Sequence, residues 1–143
     1  MIGVTMARRI LLIEDNGITR KVLRIAFRLK GDELLEAEDG RTAIQALATE
    51  PVDLIILDLV LPDMDADLLV RRIRSLPGCQ GTPILAFSAF TSQLDAVRGM
   101  HTAFAGFVQK PVEPSRLLAM VDGILRKESG AGPAAAAAGG TQL

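Results

Sequence analysis

Leu54-Ile55-Ile56-Leu57-Asp58 runs apolar for four residues and then stops on an acid. A short Ile/Leu run bounded by charge, here by Asp53 and Asp58, is the pattern of a buried strand. An acid closing such a strand falls in the crevice where open α/β sheets bind ligands. The same figure recurs on either side. Ile10-Leu11-Leu12-Ile13 ends on Glu14-Asp15, and Phe107-Val108-Gln109 ends on Lys110.

Between these strands lie helical patterns. Ile18, Val22, Ala26 and Leu29 recur at helical spacing, with Arg20, Lys21, Arg24 and Arg28 on other faces, and Gly31-Asp32 breaks the helix. Leu34–Ala37 reads as a weak strand. Gly40 opens a second helix through Ala43, Ile44 and Leu47, which Pro51 stops. After a turn at Pro62-Asp63, Leu69, Val70, Ile73 and Leu76 mark a third helix, ended by Pro77-Gly78. Pro83–Phe87 is a fourth strand, closing at Ser88-Ala89. The fourth helix carries Leu94 and Val97 and stops at Gly99, leaving Met100–Ala105 irregular. Pro114 suits the first turn of a last helix, with Leu117, Leu118, Val121, Ile124 and Leu125 on one face.

This alternation predicts an α/β protein, a parallel sheet with helices on both faces. Right-handed crossovers then bring every strand's C-terminal end to one edge. Glu14, Asp15, Asp58, Ser88 and Lys110 converge there by topology alone. Three crowded carboxylates repel one another, and a hard divalent cation such as Mg²⁺ relieves them. Lys110 balances surplus charge or holds a phosphoryl oxygen. Lys110-Pro111 is an X-Pro bond, the kind that adopts cis in tight loops, and a cis bond here would aim the lysine into the crevice. Each residue taken singly has a plainer reading. Glu14 and Asp15 suit the N-terminus of the next helix. Lys110 suits a surface turn, Ser88 a helix cap, and Phe107 the core.

Composition narrows the function. The 143 residues suit one domain. Lys and Arg number 16 against 17 Asp and Glu, which gives no electrostatic footprint for nucleic acid or anionic lipid. The single cysteine, Cys79, excludes an intramolecular disulfide and fits a reducing compartment. The apolar run after Arg8-Arg9 is shorter than the roughly 7–15 residues of a signal-peptide core, and no run approaches the roughly 20 of a membrane span. A cytoplasmic protein without nucleic-acid or membrane partners is expected. Residues 1–7 read as an N-terminal extension, 8–128 as the folded domain, and 129–143 as a disordered Gly/Ala-rich tail.

Four segments in order resemble the receiver domains of two-component response regulators. They are Leu12-Ile13-Glu14-Asp15-Asn16, Asp58–Asp65, Phe87-Ser88-Ala89 and Gly106–Pro111. The resemblance covers residues 8–127 and implies a flavodoxin-like, doubly wound five-stranded parallel sheet of order 2-1-3-4-5 with five helices. It implies Asp58 as phosphoacceptor from a phosphohistidine, on a histidine kinase or histidine phosphotransfer protein. It further implies Mg²⁺ held by Asp15, Asp58 and the backbone carbonyl of Val60, with Glu14 acting largely through bound water and Lys110 neutralising the transferring oxygens. Ser88 and Phe107 are the implied switch pair. Downstream partners would read the surface around the fourth helix, fifth strand and last helix, by a monomer or a phosphorylation-dependent dimer. Output would be protein–protein contact or onward relay, unless the chain is a receiver excised from a hybrid kinase or larger regulator.

The chain departs from the family pattern at Ala66 and Ala103, where glycines are usual. Val60 and Phe90 occupy positions that tune dephosphorylation in the family. Neither side chain can hydrogen-bond an attacking water, which predicts a long-lived phosphorylated form. The lone His101 reads as a polar loop residue. Asp63-Met64-Asp65-Ala66-Asp67 lacks the Gly and Glu of a calcium loop, since Leu68 and Arg74 stand at those places. A phosphatase of the haloacid dehalogenase type would want a second Asp where Val60 stands. The intact set Glu14, Asp15, Asp58, Ser88 and Lys110 argues against a phosphate-independent interaction module.

Overall fold

The computed structural model describes residues 7–98 and 103–128. Five strands and five helices alternate: β1 (Arg9–Ile13), α1 (Gly17–Lys30), β2 (Glu33–Ala37), α2 (Gly40–Thr49), β3 (Leu54–Asp58), α3 (Ala66–Ser75), β4 (Ile84–Ser88), α4 (Thr91–Arg98), β5 (Gly106–Gln109) and α5 (Pro114–Glu128). All neighbouring strands pair parallel, in the order β2-β1-β3-β4-β5. The flavodoxin-like topology implied by the four motifs is therefore present. The Gly99 stop, His101, most of the extension 1–7 and the tail 129–143 lie outside the described residues.

The central strands are apolar because both of their faces are covered. Leu11, Ile13, Ile55, Leu57, Ile84 and Ala86 point into a core shared with Ala43, Leu47, Leu69, Ile73 and Leu94 of α2, α3 and α4. Ile10, Leu12, Leu54, Ile56, Leu85 and Phe87 point the other way, against Leu23 and Phe27 of α1 and Leu117, Val121 and Ile124 of α5. Every residue from Leu54 to Leu57 has no exposed surface. Complete burial of each such side chain stabilises the fold by about 1.5–3 kcal/mol. An acid in place of Ile56 would break the sheet at its centre.

Helix α1 corrects the sequence reading. The helical spacing of Ile18, Val22, Ala26 and Leu29 is real, but that stripe faces outward: Ile18 is 77% and Leu29 84% exposed. The helix seats Leu23 and Phe27 instead, and bulk explains the choice. Phe27 is fully buried and packs in one cluster with Ile10 and Leu12 of β1 and Leu54 and Ile56 of β3. Nor are the basic residues of α1 all a solvated face. Arg24 makes a bidentate pair with Glu36 of β2 (2.5 and 2.9 Å), and Arg20 folds back on the β1–α1 loop. Asn16 caps the helix start by accepting from the amides of Ile18 and Thr19, and Gly31 ends it with φ +94°, a left-handed conformation suited to glycine. No helix among the described residues is long and apolar enough to cross a membrane.

Candidate functional site

The edge of the sheet formed by the strands' C-terminal ends gathers the residues that the sequence placed there. Asp58 is the last residue of β3 and is 4% exposed; Glu14 follows β1 and is fully buried; Ser88 ends β4, also fully buried. Asp15 lies beside Glu14 and is exposed. One oxygen from each of Glu14, Asp15 and Asp58 lies within 4.8 Å of the others.

Local bonds hold this arrangement. The Asp58 Oδ1 accepts from the amide of Val60 (3.0 Å), turning the β3–α3 loop over the carboxylate. Glu14 Oε2 accepts from the amide of Asn16 (3.1 Å). Lys110 enters from the β5–α5 loop, where the Lys110–Pro111 bond is cis. Its Nζ donates to Asp58 Oδ2 at 3.1 Å and stands 2.5 Å from Glu14 Oε1. It also lies 4.8 Å from the centroid of the Phe87 ring, a cation–π distance. Burial alone would lower the pKa of this ammonium. The carboxylates of Glu14 and Asp58 outweigh burial and hold it above the ordinary lysine value.

The carboxylate donor set suits a hard cation. Lys110 Nζ, 2.5 Å from the buried Glu14 Oε1, pairs with it by charge. One lysine leaves three carboxylates with surplus negative charge, and an ion bridging Glu14, Asp15 and Asp58 would offset it. Three hard oxygens from carboxylates, with room left on the Asp15 side for water, match the way Mg²⁺ is bound.

The remaining predicted residues surround this centre. Ser88 Oγ accepts from the amide of Phe90 at 3.1 Å, a local turn contact that also fits its plainer reading. Its carbonyl accepts from the amide of Lys110, joining the β4 and β5 ends. Phe107 is half-buried, its ring 5.6 Å from that of Phe104 and tilted by 48°. Val60 (44%) and Phe90 (58%) are exposed apolar side chains on the two loops that flank Asp58.

The sequence reading missed the residues that fix the loops. Arg20 Nη1 donates to the main-chain carbonyls of Glu14 (2.9 Å) and Asp15 (3.1 Å). Asp63, taken as a turn residue, accepts from the amides of Gly40 and Arg41 at 2.9 Å each and so caps α2 from the β3–α3 loop. The next residue, Met64, packs so closely on Gly40 that a Cβ there would lie 2.7 Å from its sulfur. Only the Asp-rich loop before α3 offered a signal, and it does not name its partner.

Comparison with known proteins gives a consistent result. The family model described as the response regulator receiver domain matches residues 10–122. The DNA-binding response regulator MtrA of Mycobacterium tuberculosis is 32% identical over 123 residues, 86% of this chain and 53% of that protein. The phosphate regulon transcriptional regulatory protein PhoB of Escherichia coli is 30% identical over 124 residues, 87% of this chain and 54% of that protein. The chain thus spans about half the length of these relatives. Among solved structures, the chemotaxis response regulator CheY4 of Vibrio cholerae superposes with a TM-score of 0.76 at 26% identity, covering 83% of this chain and 99% of that one. The receiver domain of the sensor histidine kinase PA1611 from Pseudomonas aeruginosa gives a TM-score of 0.73 at 26% identity, covering 85% and 97%; it carries a magnesium ion in its active site cleft.

Proposed function

The chain belongs to the response regulator receiver domain family, and on that premise we propose that Asp58 is the phosphoacceptor of a histidine-to-aspartate phosphorelay. The observation that carries this reading is Lys110 Nζ 3.1 Å from Asp58 Oδ2, beside a cluster of three carboxylates. Asp58 attacks the phosphorus of a phosphohistidine on a histidine kinase or a histidine phosphotransfer protein. The P–O bond forms as the P–N bond breaks, and the imidazole leaves with its nitrogen protonated from solvent. Glu14, Asp15, Asp58 and the Val60 carbonyl would hold Mg²⁺, whose charge would offset that on the transferring oxygens. Lys110 stabilises the same oxygens from the β5 side.

Phosphorylation adds about −1.5 to −2 charges at Asp58. Ser88 and Lys110 interact better with that anion than with a carboxylate, and this difference biases Phe107 and the α4–β5–α5 surface toward a second state. A downstream protein reads that surface, or the phosphoryl group passes onward; the chain is a switch and not an enzyme of steady turnover. A monomer, or a dimer formed on phosphorylation, in the cytoplasm fits this role. The exposed stripe of α1, Ile18, Val22, Ile25 and Leu29, flanked by Lys21 and Arg28, favours a phosphodonor that presents an apolar helix edged with carboxylates. Val60 and Phe90 shield the acyl phosphate and lengthen its life. Loss of the phosphate within seconds, in Mg²⁺ and without phosphatase, would contradict that last point.

The test is a mass measurement. With Mg²⁺ and acetyl phosphate, the wild type gains one phosphoryl group and Asp58→Asn gains none. An unmodified wild type, or an equally modified variant, overturns the proposal.

A further inference from the structure

We propose that Arg20 is the positioning residue of the metal loop, holding Glu14 and Asp15 in their ligating arrangement through their main-chain carbonyls. The inference rests on the Mg²⁺-site reading given above and adds a residue outside the acid cluster.

Asp15 is the starting point. It is exposed, and among the described residues its carboxylate takes part in no hydrogen bond or ion pair, while its carbonyl is engaged by Arg20. Among the described residues, then, no side-chain contact determines where this carboxylate points. Its aim depends on the backbone of the β1–α1 loop. Glu14 marks the end of the sheet ladder, its amide bonding to the carbonyl of Ala37 at 2.9 Å. Beyond that bond, the carbonyls of Glu14 and Asp15 are both held by the Arg20 guanidinium, at 2.9 and 3.1 Å, and the Asn16 amide that follows them donates to Glu14 Oε2.

The guanidinium is itself anchored. Arg20 Nε stands 3.4 Å from Glu36 Oε1 on β2, and both side chains are only 19% exposed. Glu36 is held in turn by the bidentate pair with Arg24. A rigid path therefore runs from β2 through Glu36 and Arg20 to the two carbonyls, and from there to the carboxylates. One nitrogen, Nη1, makes both carbonyl bonds while Nε faces Glu36, so the planar group spans the loop and β2 at fixed angles.

Charge and positioning predict opposite signs, which makes the proposal decidable. As a cation next to three carboxylates, Arg20 opposes the binding of a second cation, so removing its charge should tighten Mg²⁺ binding. As a clamp, its removal should loosen the loop and weaken binding. We expect the clamp to dominate, since residues that orient metal ligands commonly govern affinity by about 10–100-fold.

The experiment is titration calorimetry of Mg²⁺ on the full chain, for wild type, Arg20→Met and Arg24→Met. The expected result is about tenfold weaker binding in Arg20→Met, with a smaller loss in Arg24→Met, which frees Glu36 but leaves the carbonyl bridge. Affinity in Arg20→Met equal to or tighter than wild type, with the wild type binding Mg²⁺, overturns this inference alone. A wild type that binds no Mg²⁺ overturns the metal-site reading and this inference with it. Should Arg20→Met fail to fold, Arg20→Gln decides: it loses the charge and the guanidinium but stays polar, so weaker binding supports the clamp and wild-type or tighter affinity refutes it.

Discussion

At the N-terminal edge of the sheet, Arg8 and Lys30 face Asp32 and Asp122. Arg8 bonds Asp32 at 3.1 Å and Asp122 at 2.6 Å, and Lys30 pairs with Asp122. At the C-terminal edge, Lys110 pairs with Glu14 and Asp58, and Asp15 completes a cluster of three carboxylates. The two edges use the same kinds of side chain at similar separations. In the first cluster, two cations meet two acids and the charges are matched. At the second, acids outnumber the cation, and the mismatch persists because β1 and β3 deliver their acids there regardless of repulsion. Matched charge ties β1, α1 and α5 together; surplus charge creates a demand that an added cation or a phosphoryl reaction can meet.

The contrast can be broken most decisively by phosphorylation itself. Asp58→Asn should abolish the mass gain from acetyl phosphate, whereas Asp122→Asn should leave its rate at the wild-type value. A loss at Asp122 would mean that the two edges are not independent. Stability comes next. Asp122→Asn removes charge-assisted bonds to Arg8 and Lys30 and should cost about 1–3 kcal/mol in urea unfolding. Asp15→Asn should do the reverse in metal-free buffer, gaining up to about 1 kcal/mol by relieving repulsion, and should abolish the Mg²⁺-induced rise in Tm seen for the wild type. A destabilised Asp15→Asn in the absence of metal would erase the distinction between matched and surplus charge.

The smallest effect is on pH dependence. Burial would raise the pKa of Asp122, but Lys30 and Arg8 outweigh it and hold the carboxyl below its ordinary value. The guanidinium of Arg24 does the same for Glu36. A lowered native pKa gives stability that is complete above the unfolded carboxylate value of about 4 and lost as pH falls through the native one. Tm should therefore decline with acidification below about pH 5, and the decline should be shallower in Asp122→Asn. An unchanged slope would remove Asp122 from the account.

The fold was legible because its signals are periodic and local. Apolar runs in Leu54–Leu57 and Ile10–Ile13, punctuated by Gly31, Pro51 and Pro77, mark elements without reference to distant partners. The site was legible because topology alone collects strand ends on one edge, so Glu14, Asp15, Asp58, Ser88 and Lys110 could be grouped before any distance was known. Two things were not legible. Periodicity finds an apolar stripe on α1 but not which stripe faces the sheet, because Leu23 and Phe27 make a second one whose bulk fits the core better. Long-range side-chain bonds to backbone leave no spacing signature, so the contacts of Arg20 with the β1–α1 loop and of Asp63 with α2 could not be read from the chain.

Those two contacts share a neighbour. Arg20 is braced by Glu36 on β2, and Asp63 grips the first amides of α2, with Met64 seated against Gly40. The unit β2–α2 contributes no reacting group, yet two of the site's loops, β1–α1 and β3–α3, are moored to it. Its sequence is therefore constrained from outside itself: at Glu36 and Gly40, the range of residues a lineage can accept is set by chemistry that takes place on other strands.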